Sequence, residues 1–163
     1  MAKKKKRSKP NGGPYLAAAF FCETTIEDKQ DGSLSIIRMV DQVTLSLPPS
    51  TPAEIPSEQH RLPVYASGLL SFKTGDSPGD HTIRVVMESP SGKRAEQVFE
   101  QVVTFTPQPH GGANLRLNHA IMVKKGGLFW FHVYLDGKRV TRMPLQIIVQ
   151  RAEMPPRQPD EHG

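Results

Sequence analysis

The chain has 163 residues, 21 of them basic and 16 acidic, with a single cysteine. One cysteine excludes a disulfide framework and fits a reducing compartment, and no apolar run approaches the ~20 residues of a transmembrane helix. The positive balance belongs to one short segment: Lys3, Lys4, Lys5, Lys6, Arg7 and Lys9 lie within residues 1–14, leaving 15 basic against 16 acidic residues, a net of −1, which argues against a basic nucleic-acid-binding face on the body.

Residues 1–14 are Lys-rich and then run Pro-Asn-Gly-Gly-Pro, too poor in apolar groups to offset the entropy of ordering, so a disordered arm is expected there. Tyr15–Thr25 reads as a first strand. In strict alternation Ala17, Ala19 and Phe21 share one face and Leu16, Ala18, Phe20 and Cys22 the other, so both faces are apolar and a central or doubly covered strand is predicted. After the Asp31-Gly32 turn, Leu34–Leu47 forms one bent strand or two short ones, with Ile36, Ile37, Met39, Val40, Val43, Leu45 and Leu47 expected in the core.

Residues 48–63 hold Pro48, Pro49, Pro52, Pro56 and Pro63, a density that no sheet interior tolerates. A long crossover loop is expected, with room for a helical turn at Glu54–Gln59. Val64–Phe72 resumes a strand. Thr82–Glu88 points Ile83, Val85 and Met87 inward and Arg84 and Glu88 outward, and Pro90-Ser91-Gly92 turns it onto Gln97–Phe105, with Phe99, Val103 and Phe105 inward. Leu115–Val123 sets Leu115, Leu117, His119, Ile121 and Val123 against Arg116, Asn118 and Met122. Gly126-Gly127 leads into Leu128–Leu135, Asp136-Gly137 is a two-residue hairpin signal, and a last strand, Leu145–Val149, follows Pro144. Residues 151–163, with Pro155, Pro156 and Pro159 among charges, read as a disordered tail. Seven to nine strands and no helix over residues 15–150 make an antiparallel β-sandwich, immunoglobulin-like or C2-like.

Two stretches carry a resemblance. Ala18-Ala19-Phe20-Phe21-Cys22-Glu23 with Asp31-Gly32-Ser33-Leu34-Ser35-Ile36-Ile37-Arg38 and Val40-Asp41, and the closing Gly127-Leu128-Phe129-Trp130-Phe131-His132-Val133-Tyr134-Leu135-Asp136-Gly137 with Pro144-Leu145, resemble a family of small uncharacterised bacterial proteins. The resemblance implies an immunoglobulin-like or C2-like sandwich in a bacterial, cytoplasmic setting. It implies no catalytic residue or cofactor, and it does not extend to the polybasic arm.

Candidate chemistry is sparse. Trp130, His132 and Tyr134 alternate on one face of their strand, opposite the better core face of Phe129, Phe131, Val133 and Leu135. Aromatics with a polar edge on a sheet surface anchor partners; the plainer reading is a strand covered on both faces. Lys3–Lys9 could dock phosphates of nucleic acid or an anionic surface in a salt-sensitive way, or merely solvate the chain. His119 sits in an apolar register, as a core histidine does, and His81, His110 and His132 share no ligand spacing with it. Cys22 has no neighbour that would activate a thiol. Glu23, Arg38 and Asp41 suggest a local ion-pair network. Asp76 and Asp80 are too few for a calcium tip.

The expectation is therefore a non-enzymatic, cytoplasmic protein-interaction module that needs no cofactor or metal. Its partner is an unknown protein bound through Trp130, His132 and Tyr134, with the electrostatic arm adding weak contact to nucleic acid or another anionic surface and open strand edges permitting a homodimer. Two alternatives stand beside it. One is a nucleic-acid-associated accessory protein acting through the arm. The other is an envelope or carbohydrate-binding sandwich, since Lys3–Lys9 followed by Tyr15–Cys22 mimics a lipoprotein signal, although its apolar run is short and Phe20-Phe21 precede the cysteine.

Overall fold

The computed structural model describes residues 12–49, 62–92, 94–108, 111–123 and 125–151. The Lys-rich segment through residue 11, the interior of the proline-rich connection and residues 152–163 lie outside them. The described residues form nine strands: β1 (Tyr15–Glu27), β2 (Leu34–Val40), β3 (Gln42–Leu47), β4 (Leu62–Lys73), β5 (Gly79–Glu88), β6 (Arg94–Phe105), β7 (Gly112–Val123), β8 (Gly127–Leu135) and β9 (Lys138–Arg151). They make two sheets, β2-β1-β4-β7 and β3-β9-β8-β5-β6. This is an immunoglobulin-like β-sandwich, antiparallel throughout except for the parallel pairing of β3 with β9. No described helix is long and apolar enough to cross a membrane.

The core is where inward registers of the two sheets meet. Phe21, Leu70, Phe72 and Ile121 from the first sheet face Ile83, Phe105, Phe131, Val133, Leu145 and Ile147 from the second. Phe21 and Phe131 meet edge-to-face, with ring centroids 4.8 Å apart. Phe72 and Phe105 do the same at 6.5 Å. His119 lies half-buried in the core-facing register of β7.

Three local devices set the geometry. A bulge between Leu16 and Ala18 inserts Ala17, so Leu16 pairs with Phe72 and packs on the core instead of sharing a face with Ala18 and Phe20. At Asp41 the chain changes sheets: Val40 pairs with Phe21, Gln42 with Gln146. The Asp136-Gly137 turn has φ of 48° and 77°, both left-handed, as a tight β8–β9 hairpin needs.

Two expectations need correction. β9 begins at Lys138 and passes through Pro144, where a start after the proline was expected. The side of β9 facing β3 is paired only from Gln146 onward, so a residue without an N–H fits at Pro144. Ile36, Ile37 and Met39 are exposed, Met39 at 71%, while Val40, Val43 and Leu45 pack against the core. The cause lies in β1, which pairs with β4 only as far as Phe21↔Gly68 and beyond that only with β2. The hairpin beyond the Phe21–Val40 pair therefore leaves the sandwich and takes its isoleucines with it.

The direction in which it leaves is fixed by one contact. Phe20, Leu69 and Arg116 stand in a single row across β1, β4 and β7. Glu27, seven residues further along β1, would lie roughly 23 Å from that row in a straight strand, beyond the joint reach of the two side chains. Yet Arg116 Nη2 donates to Glu27 Oε2 at 2.6 Å. The hairpin bends back over the middle of β4 far enough for Glu27 to reach Arg116, while the outward residues of β7 stay exposed.

Candidate functional site

β8 runs inside the second sheet, between β9 and β5. Phe129, Phe131, Val133 and Leu135 fill the core, which places Trp130, His132 and Tyr134 in a row on the outer face. Register supplies their neighbours. Trp130 stands between Pro144 and Glu88, His132 between Arg142 and Val86, and Tyr134 between Arg139 and Arg84.

These side chains lock together. The Arg142 guanidinium lies 4.2 Å from the Trp130 ring centroid and that of Arg84 lies 4.9 Å from the Tyr134 centroid. Each stack is worth about 0.5–1 kcal/mol at an accessible site and more where water is excluded. Trp130 and Tyr134 are left half-buried. Between them His132 is only 4% exposed, and its Nε2 is 2.6 Å from Glu88 Oε2. An ionised carboxylate can only accept, so Nε2 carries the hydrogen and donates it. His132 Nδ1 is buried with no partner, a state that costs about 1–3 kcal/mol. Arg142 and Arg84 have no carboxylate within ion-pair distance among the described residues. A guanidinium held over a ring without a carboxylate of its own keeps N–H groups with which arginine can grip a carboxylate bidentately.

Sequence reasoning found the β8 row but missed Arg84, Arg142 and Glu88 as its partners. A two-residue turn alone would set His132 opposite Thr141. A bulge between Val133 and Tyr134 shifts the register by one, setting Arg142 beside His132 and Pro144 beside Trp130.

The other candidates lie apart from this face. His81 Nδ1 is 2.7 Å from Asp136 Oδ2 and its Nε2 3.2 Å from the Ser77 carbonyl, clamping the β8–β9 turn to the start of β5. Burial pushes the Asp136 carboxyl up, but the hydrogen bonds from His81 and the Thr82 N–H, with the charge of His81, hold it below the usual carboxylate range. Arg38 and Glu23 pair at 3.2 Å, both exposed. Cys22 lies inside β1 with burial pushing its thiol pKa up. Cleavage before it would remove Phe21 from the core. His110 and the Lys3–Lys9 arm lie outside the described residues. Among the described residues no group of three His, Cys, Asp or Glu could hold a metal.

A family model described as a family of unknown function (DUF6941) matches residues 17–148. No curated protein matches the sequence. Among solved structures, a β-glucosidase from Listeria innocua in complex with glucose is 10% identical with a TM-score of 0.51, covering 90% of this chain and 17% of that one. The chain thus spans about a sixth of the enzyme's length, and the likeness is one of fold. An immunoglobulin-like protein from Pseudomonas aeruginosa is 11% identical with a TM-score of 0.38, covering 82% of this chain and 95% of that one.

Proposed function

For this chain, which belongs to the DUF6941 family of unknown function, we propose a non-enzymatic protein-interaction module that docks an acidic segment of a partner protein on the outer face of β5, β8 and β9. The observation that carries this reading is the pair of ring-stacked arginines, Arg142 on Trp130 and Arg84 on Tyr134, neither with a carboxylate partner among the described residues. Trp130 and Tyr134 are four residues apart on one strand, so the rings that carry the two guanidinium groups are rooted about 13 Å apart. Trp, Tyr and Arg are the side chains that dominate protein interfaces.

Charge decides against a polyphosphate partner. Asp80, Glu88 and Glu100 lie on the same face as Arg84, Arg139 and Arg142, leaving no net charge among the described residues. Sugar stacking is disfavoured because a ring face of each aromatic already carries a guanidinium. The buried, unpaired cysteine fits a cytoplasmic setting.

The test is titration of the full chain with a hexaglutamate peptide, beside hexalysine and a single-stranded oligonucleotide, followed by NMR. Shifts centred on β8 and β9 with hexaglutamate, lost in an Arg84→Gln/Arg142→Gln double variant, are the expected result. Binding of the oligonucleotide alone, removed by deleting residues 1–11, would transfer the function to the arm.

A further inference from the structure

The bent β1–β2 hairpin does more than shield Leu69. Where it meets the outer side of β4 and β7 lies an open cavity of about 210 Å³, lined by Cys22, Thr24, Thr25, Ser67, Gly68, Arg116 and Asn118. Cys22 and Leu69 both have outward register, yet each is only 3% exposed, as a covered face requires. The cavity is on the opposite sheet from the ring-stacked arginines.

Its walls are rich in donors. Ser67 Oγ donates to Asn118 Oδ1 at 3.0 Å, which leaves both amide N–H groups of Asn118 available. Thr24 and Thr25 add hydroxyls that rotate to suit a ligand. Arg116 offers four further N–H groups beyond the one it gives Glu27. Gly68 lines the cavity with backbone alone: its register faces the core, where a Cβ would stand 3.0 Å from the Phe20 carbonyl and 3.3 Å from the Phe21 ring. No carboxylate lines the cavity itself, and Glu27 meets Arg116 from the hairpin tip. Drug-sized molecules occupy about 300–1,000 Å³, so an occupant here has few heavy atoms.

We infer that this cavity binds one small oxyanion, a carboxylate or phosphate group, held by Arg116, the Asn118 amide and a hydroxyl from the Thr24-Thr25 pair. Glu27 acts as its competitor. Arg116 is bound by the hairpin's own carboxylate when the site is empty, and an arriving anion shares the guanidinium's charge and N–H groups and so weakens its tie to the hairpin tip. Occupancy is thereby coupled to the position of β1 and β2.

The experiment is an NMR titration of the full chain with sodium phosphate and, separately, sodium acetate, at ionic strength held constant with sodium chloride. The expected result is saturable shifts at Thr24, Thr25, Ser67 and Asn118. Saturation by phosphate alone identifies a phosphate site, and saturation by both a general oxyanion site. Glu27→Gln should tighten binding about tenfold by removing one charge-assisted competitor, and Arg116→Gln should weaken it by at least as much. Shifts that grow linearly and match the chloride control overturn the inference, as do saturable shifts that persist in Arg116→Gln. Glu27→Gln keeps Arg116 in place, so unchanged affinity in that variant also counts against the site even where Arg116→Gln fails to fold.

Discussion

The two outer faces of the sandwich are built in opposite ways. On the second sheet the face is flat and self-braced: β8 is flanked on both sides, and each aromatic is held by an arginine from a neighbouring strand. On the first sheet a hairpin that parts from β4 beyond Phe21 reaches over the middle of the face, where, among the described residues, the Arg116–Glu27 ion pair ties it down. The same core lies beneath both. What differs is whether a surface strand keeps its pairing. A fully paired strand offers a fixed platform, whereas a strand paired on one side only offers a part able to move.

The largest expected effect is one the two faces share. Phe21 and Phe131 meet in the core from opposite sheets, so Phe131→Ala should cost about 3–5 kcal/mol in chemical denaturation. A loss confined to one face, with the other sheet's amides still protected from exchange, would show that the sheets unfold separately. Next comes the bracing of the flat face. Glu88→Ala strands both nitrogens of buried His132 and should cost about 1–3 kcal/mol, more than Arg142→Gln, which gives up one stack worth about 0.5–1 kcal/mol. Equal losses in the two variants would mean that the stacks, not the buried pair, hold the face.

pH gives a third comparison. Asp136 is held below its ordinary range in the folded chain. Its contribution is therefore fully present above the unfolded carboxylate value, near 3.9, and is lost as pH falls through the lowered folded value. Asp136→Asn keeps the left-handed turn residue and should flatten the acid limb of the stability curve, a modest effect because the carboxylate is half exposed. An unchanged acid limb would remove the His81 clamp from the account. The smallest effect belongs to the hairpin: Glu23→Gln breaks an exposed pair with Arg38 and should change stability by no more than about 0.5 kcal/mol.

Much of the fold was legible because alternation and turn chemistry agree with it. Ile83, Val85, Phe129, Phe131 and Val133 are inward as their period-two pattern demands, and Asp136-Gly137 turns where its residue types require. The errors arose where one extra residue changed the register. Ala17 moved Leu16 to the core. The bulge near Tyr134 brought Arg142 to the candidate site, and the inward run Met143, Leu145 and Ile147 conflicts with an unbulged hairpin, a signal that could have revealed it. Ile36, Ile37 and Met39 misled for another reason. Their pattern is that of a core strand, but burial depends on whether β1 stays beside β4, a long-range fact absent from the local sequence.

The parallel pairing of β3 with β9 also has a consequence in time. Gln42 meets Gln146, and the six register pairs of this ladder all join residues about a hundred positions apart. Contacts so distant along the chain are among the slowest to close, since the loop entropy must be surrendered before they return anything. During synthesis β3 is made early and waits, its edge open, until β9 has been made. The β3 edge is thus the part of the second sheet whose pairing spans the longest stretch of chain and has the most loop entropy to overcome.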